Sequence, residues 1–295
     1  MVENGATKLS ADFSEKYVEL LKSALCASLY DESAWRVMEG PLQQDIASYT
    51  LPRKLSAKAK HAVLAFLRRR NLRLVRAFPF DQASRDMGTD WPMFGFTMTG
   101  RRRLDALQRC IDDLLEDDIP GDFIETGVWR GGSVIFMRAL LSARNDRKRT
   151  VWCADSFEGM PVPRKPDIAI PTDDDLSDMD YLNVSIEQVQ RNFARFGLLD
   201  DRVKFLKGWF RDSLPTAPIQ KLSLLRLDGD LYESTRDALV NLYHKVSPGG
   251  YVIVDDYNSW GGCHVAIDEF RKQHSISDPI EEIDTHAILW RVQPA

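Results

Sequence analysis

Gly121-Asp122-Phe123-Ile124-Glu125-Thr126-Gly127-Val128-Trp129-Arg130-Gly131-Gly132-Ser133 is the stretch that decides the fold. Its first half, Asp122–Thr126, is a short apolar run of strand type, and residues 133–143 carry the apolar spacing of a helix. The glycines between them let the backbone turn sharply and approach a ligand, while the start of the helix offers unpaired N–H groups. Only Gly127 and Gly131 frame the turn, so it is not the dinucleotide pattern Gly-x-Gly-x-x-Gly. No Gly-Lys-Ser/Thr follows that would make it a phosphate loop. Glu125 stands just before the turn, where it repels a pyrophosphate and attracts a cationic sulfonium or ammonium, the charges of S-adenosylmethionine.

Downstream the same unit repeats. Strand-like runs at 150–154, 202–206, Leu222–Leu227 and 251–254 alternate with helical patterns at 185–196, 235–246 and 263–273. Alternation of this kind predicts an α/β fold with a doubly wound, mostly parallel sheet. Two further runs, 280–283 and 287–292, have no helix between them and predict a hairpin at one edge, bringing the sheet to seven strands. Residues 157–183 break the rhythm, with several prolines and the acids Asp173, Asp174, Asp175, Asp178 and Asp180. A loop this long inside an α/β domain reads as a lid or binding element.

Upstream the texture is helical. Apolar residues recur at helical spacing over 17–29, over 55–78 and over 100–115, and Pro120-Gly121 then breaks the chain. The organisation expected is a helical region, 1–119, followed by a catalytic α/β domain, 120–295. Hydrophobic residues at 44% and charged residues at 28% exclude a disordered or fibrous chain. No run approaches the roughly 18 apolar residues of a membrane-spanning helix, and residues 1–13 lack the apolar core of a signal peptide. Cys26, Cys110, Cys153 and Cys263 are isolated, with no metal-ligand spacing. They read as buried free thiols of a cytoplasmic protein. The net charge of −5 hides an uneven distribution: residues 50–110 hold fourteen Lys and Arg against four Asp. Their Arg-rich helical face reads as solvated, with the apolar face packed on the α/β domain or on a partner subunit.

The carboxyl ends of the expected strands carry the acids. Asp155 follows the second strand, 28 residues beyond Gly127, and is placed to accept hydrogen bonds from both ribose hydroxyls of a nucleoside. It also suits a helix cap. Asp228 and Asp230 close one strand, and Asp255-Asp256 closes the next. Parallel neighbours would bring Asp228, Asp255 and Asp256 into one small volume, where three carboxylates repel each other unless a cation intervenes. All-oxygen ligands favour a hard ion, most simply Mg²⁺. Asp228 is then positioned to take a proton from a substrate hydroxyl. Helix capping and a plain Asp-Gly-Asp turn remain alternatives for these acids, and Asp230 reads as structural.

These blocks together resemble the TylF-like macrocin O-methyltransferase family. The resemblance rests on residues 121–161, on G-L-L-D-D-R-V-K-F-L-K-G-W-F-R-D-S-L-P, on L-L-R-L-D-G-D-L-Y-E-S-T and on S-P-G-G-Y-V-I-V-D-D-Y, and spans residues 17–291. It implies a Rossmann-like class I methyltransferase that moves a methyl group from S-adenosylmethionine to a sugar hydroxyl with Mg²⁺ bound, acting on a small-molecule glycoside. Carried over by position, Asp228 is base and metal ligand, and Asp255 and Asp256 are the remaining ligands. Glu125, Thr126, Gly127, Val128, Gly131 and Ser133, with Asp155, Ser156, Gly208, Trp209 and Asp228, hold the cofactor. Trp91-Pro92 and Met98-Thr99 belong to the acceptor cleft by the same positional argument. The upstream region forms lid and subunit contacts, which implies a homo-oligomer. The chain departs from the family pattern at Asp284-Thr285-His286-Ala287 and at Trp260-Gly261-Gly262-Cys263-His264, both on the presumed acceptor side, where His264 and His286 are pocket candidates.

Two other readings compete. A glycine turn and a strand-end Asp also suit an NAD-dependent oxidoreductase, although Glu125 and the missing third glycine oppose it. The basic 50–110 segment suits a module that binds nucleic acid or an anionic membrane surface, but interleaved aromatics are sparse there, and neither a nucleic-acid partner nor a membrane span is expected.

Overall fold

In a computed structural model of the chain, residues 2–30, 34–37, 57–70, 72, 75–163, 175–177 and 179–293 are described. The upstream region runs α1 (Val2–Leu25), β1 (Ala34–Val37), α2 (Ala57–Arg69), β2 (Val75–Phe78), α3 (Gln82–Met87) and α4 (Gly100–Glu116). The helix expected over 55–78 is corrected: it ends at Arg69, and Val75–Phe78 pairs antiparallel with Ala34–Val37. Leu74 and Phe78 happen to lie four residues apart, but β-branched and aromatic residues favour the extended form there. α1 likewise stops at Leu25, short of Leu29. On α4, Leu104, Leu107, Ile111 and Leu114 fall three and four apart and are fully buried, so the helix has one apolar stripe against the sheet.

From β3 (Asp122–Thr126) the chain alternates through α5 (Gly132–Ala143), β4 (Val151–Asp155), α6 (Ile186–Arg195), β5 (Val203–Lys207) and α7 (Phe210–Ser213). It continues through β6 (Leu222–Leu227), α8 (Tyr232–Leu242), β7 (Val246–Val254), α9 (Gly261–Gln273), β8 (Glu281–Glu282) and β9 (Ile288–Arg291). The last seven strands form one sheet in the order β5-β4-β3-β6-β7-β9-β8. β3 to β7 are parallel, and β9 runs antiparallel against both β7 and β8, which is the expected edge hairpin. The doubly wound, mostly parallel seven-stranded α/β fold with an N-terminal helical extension is therefore the architecture found. Strand order reverses between β3 and β6, and ligands in such sheets bind beyond the carboxyl ends at that point.

Side-chain alternation assigns the two faces. Phe123, Leu224 and Ile253 belong to the core under α1, α4, α5 and α6. Ile124, Leu225 and Val254 belong to the core under α8 and α9. Counting on by twos, Glu125, Arg226 and Asp255 return to the α4 face. The ladder runs past the strand ends, since the Asp228 N–H donates to the Thr126 carbonyl and the Asp255 N–H to the Leu227 carbonyl, both at 2.9 Å. Those bonds fix where the two carboxylates leave the sheet. Cys26, Cys110, Cys153 and Cys263 are all buried and free, and burial pushes the Cys26 and Cys110 thiols up to about 12. No described helix is long and apolar enough to cross a membrane.

Candidate active site

Two adjoining cavities lie over the carboxyl ends of the strands. The smaller, about 280 Å³, is lined by Asp155 and Ser156 on one side and by Trp209, Phe210 and Asp237 on the other. The larger, about 350 Å³, is lined by Glu125, Val128, Ser133, Asp255 and Asp256, and by Trp91, Met98 and Thr99 from upstream. Gly127, Asp155, Gly159, Met160 and Asp228 line both. Of the cofactor residues expected from sequence, Thr126, Gly131 and Gly208 line neither. The Thr126 hydroxyl donates to the Arg226 carbonyl, and a Cβ on Gly131 would meet the Val189 side chain. Gly127 has φ +90°, and a Cβ there would fall 1.7 Å from the Asp228 carbonyl oxygen, so only glycine lets β3 turn this close to β6. Three non-glycine residues with positive φ, Trp129, Phe157 and Asp230, follow β3, β4 and β6, which places backbone strain at the loops that form the cleft.

Asp228, Asp255 and Asp256 do converge, each offering an oxygen within 4.8 Å of the others. Sequence reasoning missed the cation already among them. Arg226, 1% exposed, pairs with Glu125, with Asp255 and, at 2.5 Å, with Asp228, and also donates to the Thr99 hydroxyl. Its signal was a lone charge inside the apolar run of β6. Arg103, buried on α4, pairs with Asp255 and, at 2.7 Å, with Asp284. Arg85 is buried too and donates to the carbonyls of Cys26 and Ala27. The basic face of residues 50–110 is thus not simply solvated, because two of its arginines turn inward to satisfy acids and carbonyls.

Electrostatics follow from this packing. Burial, resisted by Arg226 and assisted by Asp228 and Asp255, raises Glu125 to about 8. Burial also raises Asp228 against the pull of Arg226, and raises Asp256 well above the usual carboxylate range. For Arg226 burial works the other way, but Asp255, Asp228 and Glu125 outweigh it and hold its pKa well above the ordinary value. Among the described residues Glu125 Oε2 and Asp256 Oδ2 are buried with no hydrogen-bond partner, so the cluster has acceptor capacity left over. Asp155 spends both oxygens locally. Oδ2 accepts from Val128 N–H at 2.7 Å and Trp129 N–H at 3.3 Å, and Oδ1 accepts from Phe157 N–H at 2.7 Å. It therefore ties the β3 and β4 loops together and still faces both cavities.

The family follows from a whole-chain comparison. A family model described as macrocin-O-methyltransferase (TylF) matches residues 14–292. The chain belongs to the TylF family. It is an S-adenosylmethionine-dependent O-methyltransferase, which sets aside the oxidoreductase and binding-module readings. A tetracenomycin methyltransferase of Streptomyces olivaceus, named for 4'-O-methylation of an 8-(2,3-dimethoxy-alpha-L-rhamnosyl) acceptor, is 53% identical over 72% of this chain and 81% of its own. Mycinamicin III 3''-O-methyltransferase of Micromonospora griseorubida is 47% identical over 74% of this chain and 87% of its own. The solved structure of the O-methyltransferase NovP superposes with a TM-score of 0.77 at 38% identity, covering 95% of this chain and all of that one.

Around the TylF cleft the remaining candidates separate. His286 lines the larger cavity. His264 lines neither, stacking on Tyr257 with ring centroids 4.2 Å apart. Pro92 stays in the wall, where its carbonyl accepts from the Tyr181 hydroxyl at 2.7 Å. Tyr181 stacks on Trp91 and packs against Trp129, whose Nε1 donates to the Tyr181 carbonyl. This aromatic group joins the upstream segment, the glycine turn and the end of the 157–183 loop. Asp173, Asp174 and Asp178 of that loop lie outside the described residues.

Proposed function

We propose that this enzyme methylates a hydroxyl of a sugar carried on a glycosylated natural product or glycan, with Asp228 as general base and Mg²⁺ bound by Asp228, Asp255 and Asp256. One observation carries the reading: Asp228 is both a member of the carboxylate cluster and a wall of the two adjoining cavities. A base at that junction faces a methyl donor on one side and an acceptor on the other.

The donor set suits the metal. Three carboxylates spread over 4.8 Å, one with a buried unpartnered oxygen, match the shell of one hard divalent ion, roughly 4–5 Å across. Arg226 and Arg103 pair with Glu125, Asp228 and Asp255, and among the described residues Asp256 forms no ion pair. When bound, the ion would supply Lewis-acid polarisation of the acceptor oxygen. S-adenosylmethionine supplies the methyl group, and the smaller cavity suits it, with Asp155, Ser156 and the aromatic Trp209 in its lining. Gly127 would complete that hold, and Val128 and Ser133 would reach the donor from the larger cavity, while Thr126, Gly131 and Gly208 support the turns from behind. Arg226 engages one oxygen of Glu125 and burial raises the Glu125 pKa, so the attraction for a cationic donor rests mainly on Asp155.

Asp228, 27% exposed at its side chain, is the most open of the three acids, as a proton acceptor must be. It would take the hydroxyl proton as the oxygen attacks the methyl carbon and the carbon–sulfur bond breaks, the sulfur leaving as the thioether of S-adenosylhomocysteine. Holding oxygen, methyl carbon and sulfur in line is worth up to about 7–11 kcal/mol of barrier. Residues 1–119 act in this reading as cover and as the contact between subunits of a homo-oligomer, and 120–295 as the catalytic part. The sugar acceptor is favoured by the rhamnosyl group in the name of one relative.

The test is a transfer assay with isotopically labelled methyl donor, Mg²⁺ and a panel of mycinamicin III, the rhamnosyl tetracenomycin and simple methyl glycosides. Mass spectrometry should find the label on the sugar fragment. Label confined to a phenol or catechol of the aglycone would overturn the sugar assignment.

A further inference from the structure

The names of two relatives place methylation at different positions, 4' in one and 3'' in the other. A carboxylate cluster that takes a proton from whichever hydroxyl is presented does not by itself choose the position, so selection needs a group elsewhere in the larger cavity. We infer that His286 is that group: its imidazole hydrogen-bonds an oxygen substituent of the acceptor sugar other than the hydroxyl that is methylated. This rests on the sugar-methyltransferase reading above.

His286 sits in the turn between β8 and β9, half-buried, with its backbone bonded on both sides. Asp284 Oδ1 accepts from the His286 and Ala287 N–H groups at 2.8 and 2.9 Å, closing the turn. Asp284 Oδ2 takes the Arg103 Nε–H at 2.7 Å, and the same guanidinium grips Asp255. The His286 carbonyl accepts from the Asn258 N–H at 2.9 Å. Its Nδ1 lies 2.8 Å from the Ser259 hydroxyl, and the Ser259 N–H donates to the Asp256 carbonyl at 3.1 Å. The turn is thereby tied to Asp255 and Asp256, the Ser259 hydroxyl orients the ring, and Ser259 and His286 both line the larger cavity.

Among the described residues Nε2 has no hydrogen-bond partner. If the Ser259 hydroxyl donates to Nδ1, Nε2 carries the proton and donates to a sugar oxygen. If Nδ1 carries the proton, Nε2 accepts from a sugar hydroxyl. In either tautomer one polar atom is left for the acceptor, and a polar group built to pair discriminates against an analogue that lacks the partner.

The experiment uses the panel glycoside that the unaltered enzyme methylates fastest, with His286→Ala, His286→Gln and Ser259→Ala. His286→Ala should raise the acceptor KM about five- to tenfold, with kcat less affected and with the affinities for S-adenosylmethionine and Mg²⁺ unchanged by calorimetry. His286→Gln, which keeps a donor and an acceptor, should recover most of the loss, and Ser259→Ala should lose less than His286→Ala. An unchanged KM in His286→Ala overturns the inference. So does a loss of cofactor affinity that His286→Gln fails to recover, because the residue would then be only structural. If the unaltered enzyme methylates no glycoside, the acceptor reading falls and takes this inference with it.

Discussion

Arg226 stands directly opposite Glu125 in the parallel pairing of β3 with β6, and the two are joined by an ion pair buried from solvent on both sides. The same guanidinium holds Asp228 and Asp255, so one cation organises three acids. Removing it leaves carboxylates buried without compensation, which typically costs about 3–5 kcal/mol. Arg226→Met should lose stability of that order in urea unfolding. Arg226→Lys should recover only part, because a single ammonium cannot span the fork that reaches three partners. A loss below about 1 kcal/mol in Arg226→Met would show that the cluster does not depend on this cation.

Stability should also depend on pH in a direction opposite to that of most paired acids. Glu125 is raised from its ordinary 4.5 to about 8, so between those values the folded chain binds the proton more tightly than the unfolded chain. Stability then falls as pH rises through that window. Melting curves in EDTA should show this fall, and Glu125→Gln, neutral throughout, should flatten it. An identical slope in the two proteins would remove Glu125 as its source.

Asp228→Asn keeps the shape of the side chain and removes its basicity. Turnover should drop at least about a hundredfold, the usual lower range for losing a general base. S-adenosylmethionine affinity, measured by calorimetry, should stay near normal. Full activity in this variant would sink the base assignment.

Dialysis against EDTA should abolish transfer, and Mg²⁺ should restore it. Asp256→Asn removes a charge and half the ligand capacity of the acid whose Oδ2 is unpartnered, so it should weaken Mg²⁺ binding measured directly by calorimetry. Turnover indifferent to chelation would remove the metal from the reaction.

Much of this site is legible in the sequence. Strand-end acids on parallel neighbours must emerge side by side, which is why the convergence of Asp228, Asp255 and Asp256 follows from sequence spacing alone. The two arginines among them were not legible for opposite reasons. Arg226 sits inside an apolar run, where a single polar residue is easily read through. Arg103 stands beside Arg101 and Arg102, and a basic run on a helix reads as a solvated face until the partner across the sheet is known. The β1–β2 pair was hidden because Leu74 and Phe78 also satisfy helical spacing, and long-range pairing leaves no local mark. Asp155 ends the second strand as its position in the sequence implies, but its backbone partners depend on loop conformations that strand periodicity does not encode.

Arg103 has a consequence for how such enzymes can be recombined. It belongs to the upstream helices, yet its guanidinium balances an acid rooted in β7 and braces the turn that carries His286. A chimera joining this sheet to the upstream part of a relative would import a foreign counter-ion along with a foreign entrance. The join at Pro120 parts the chain as a string of residues, while the charge of the carboxylate cluster is held in common.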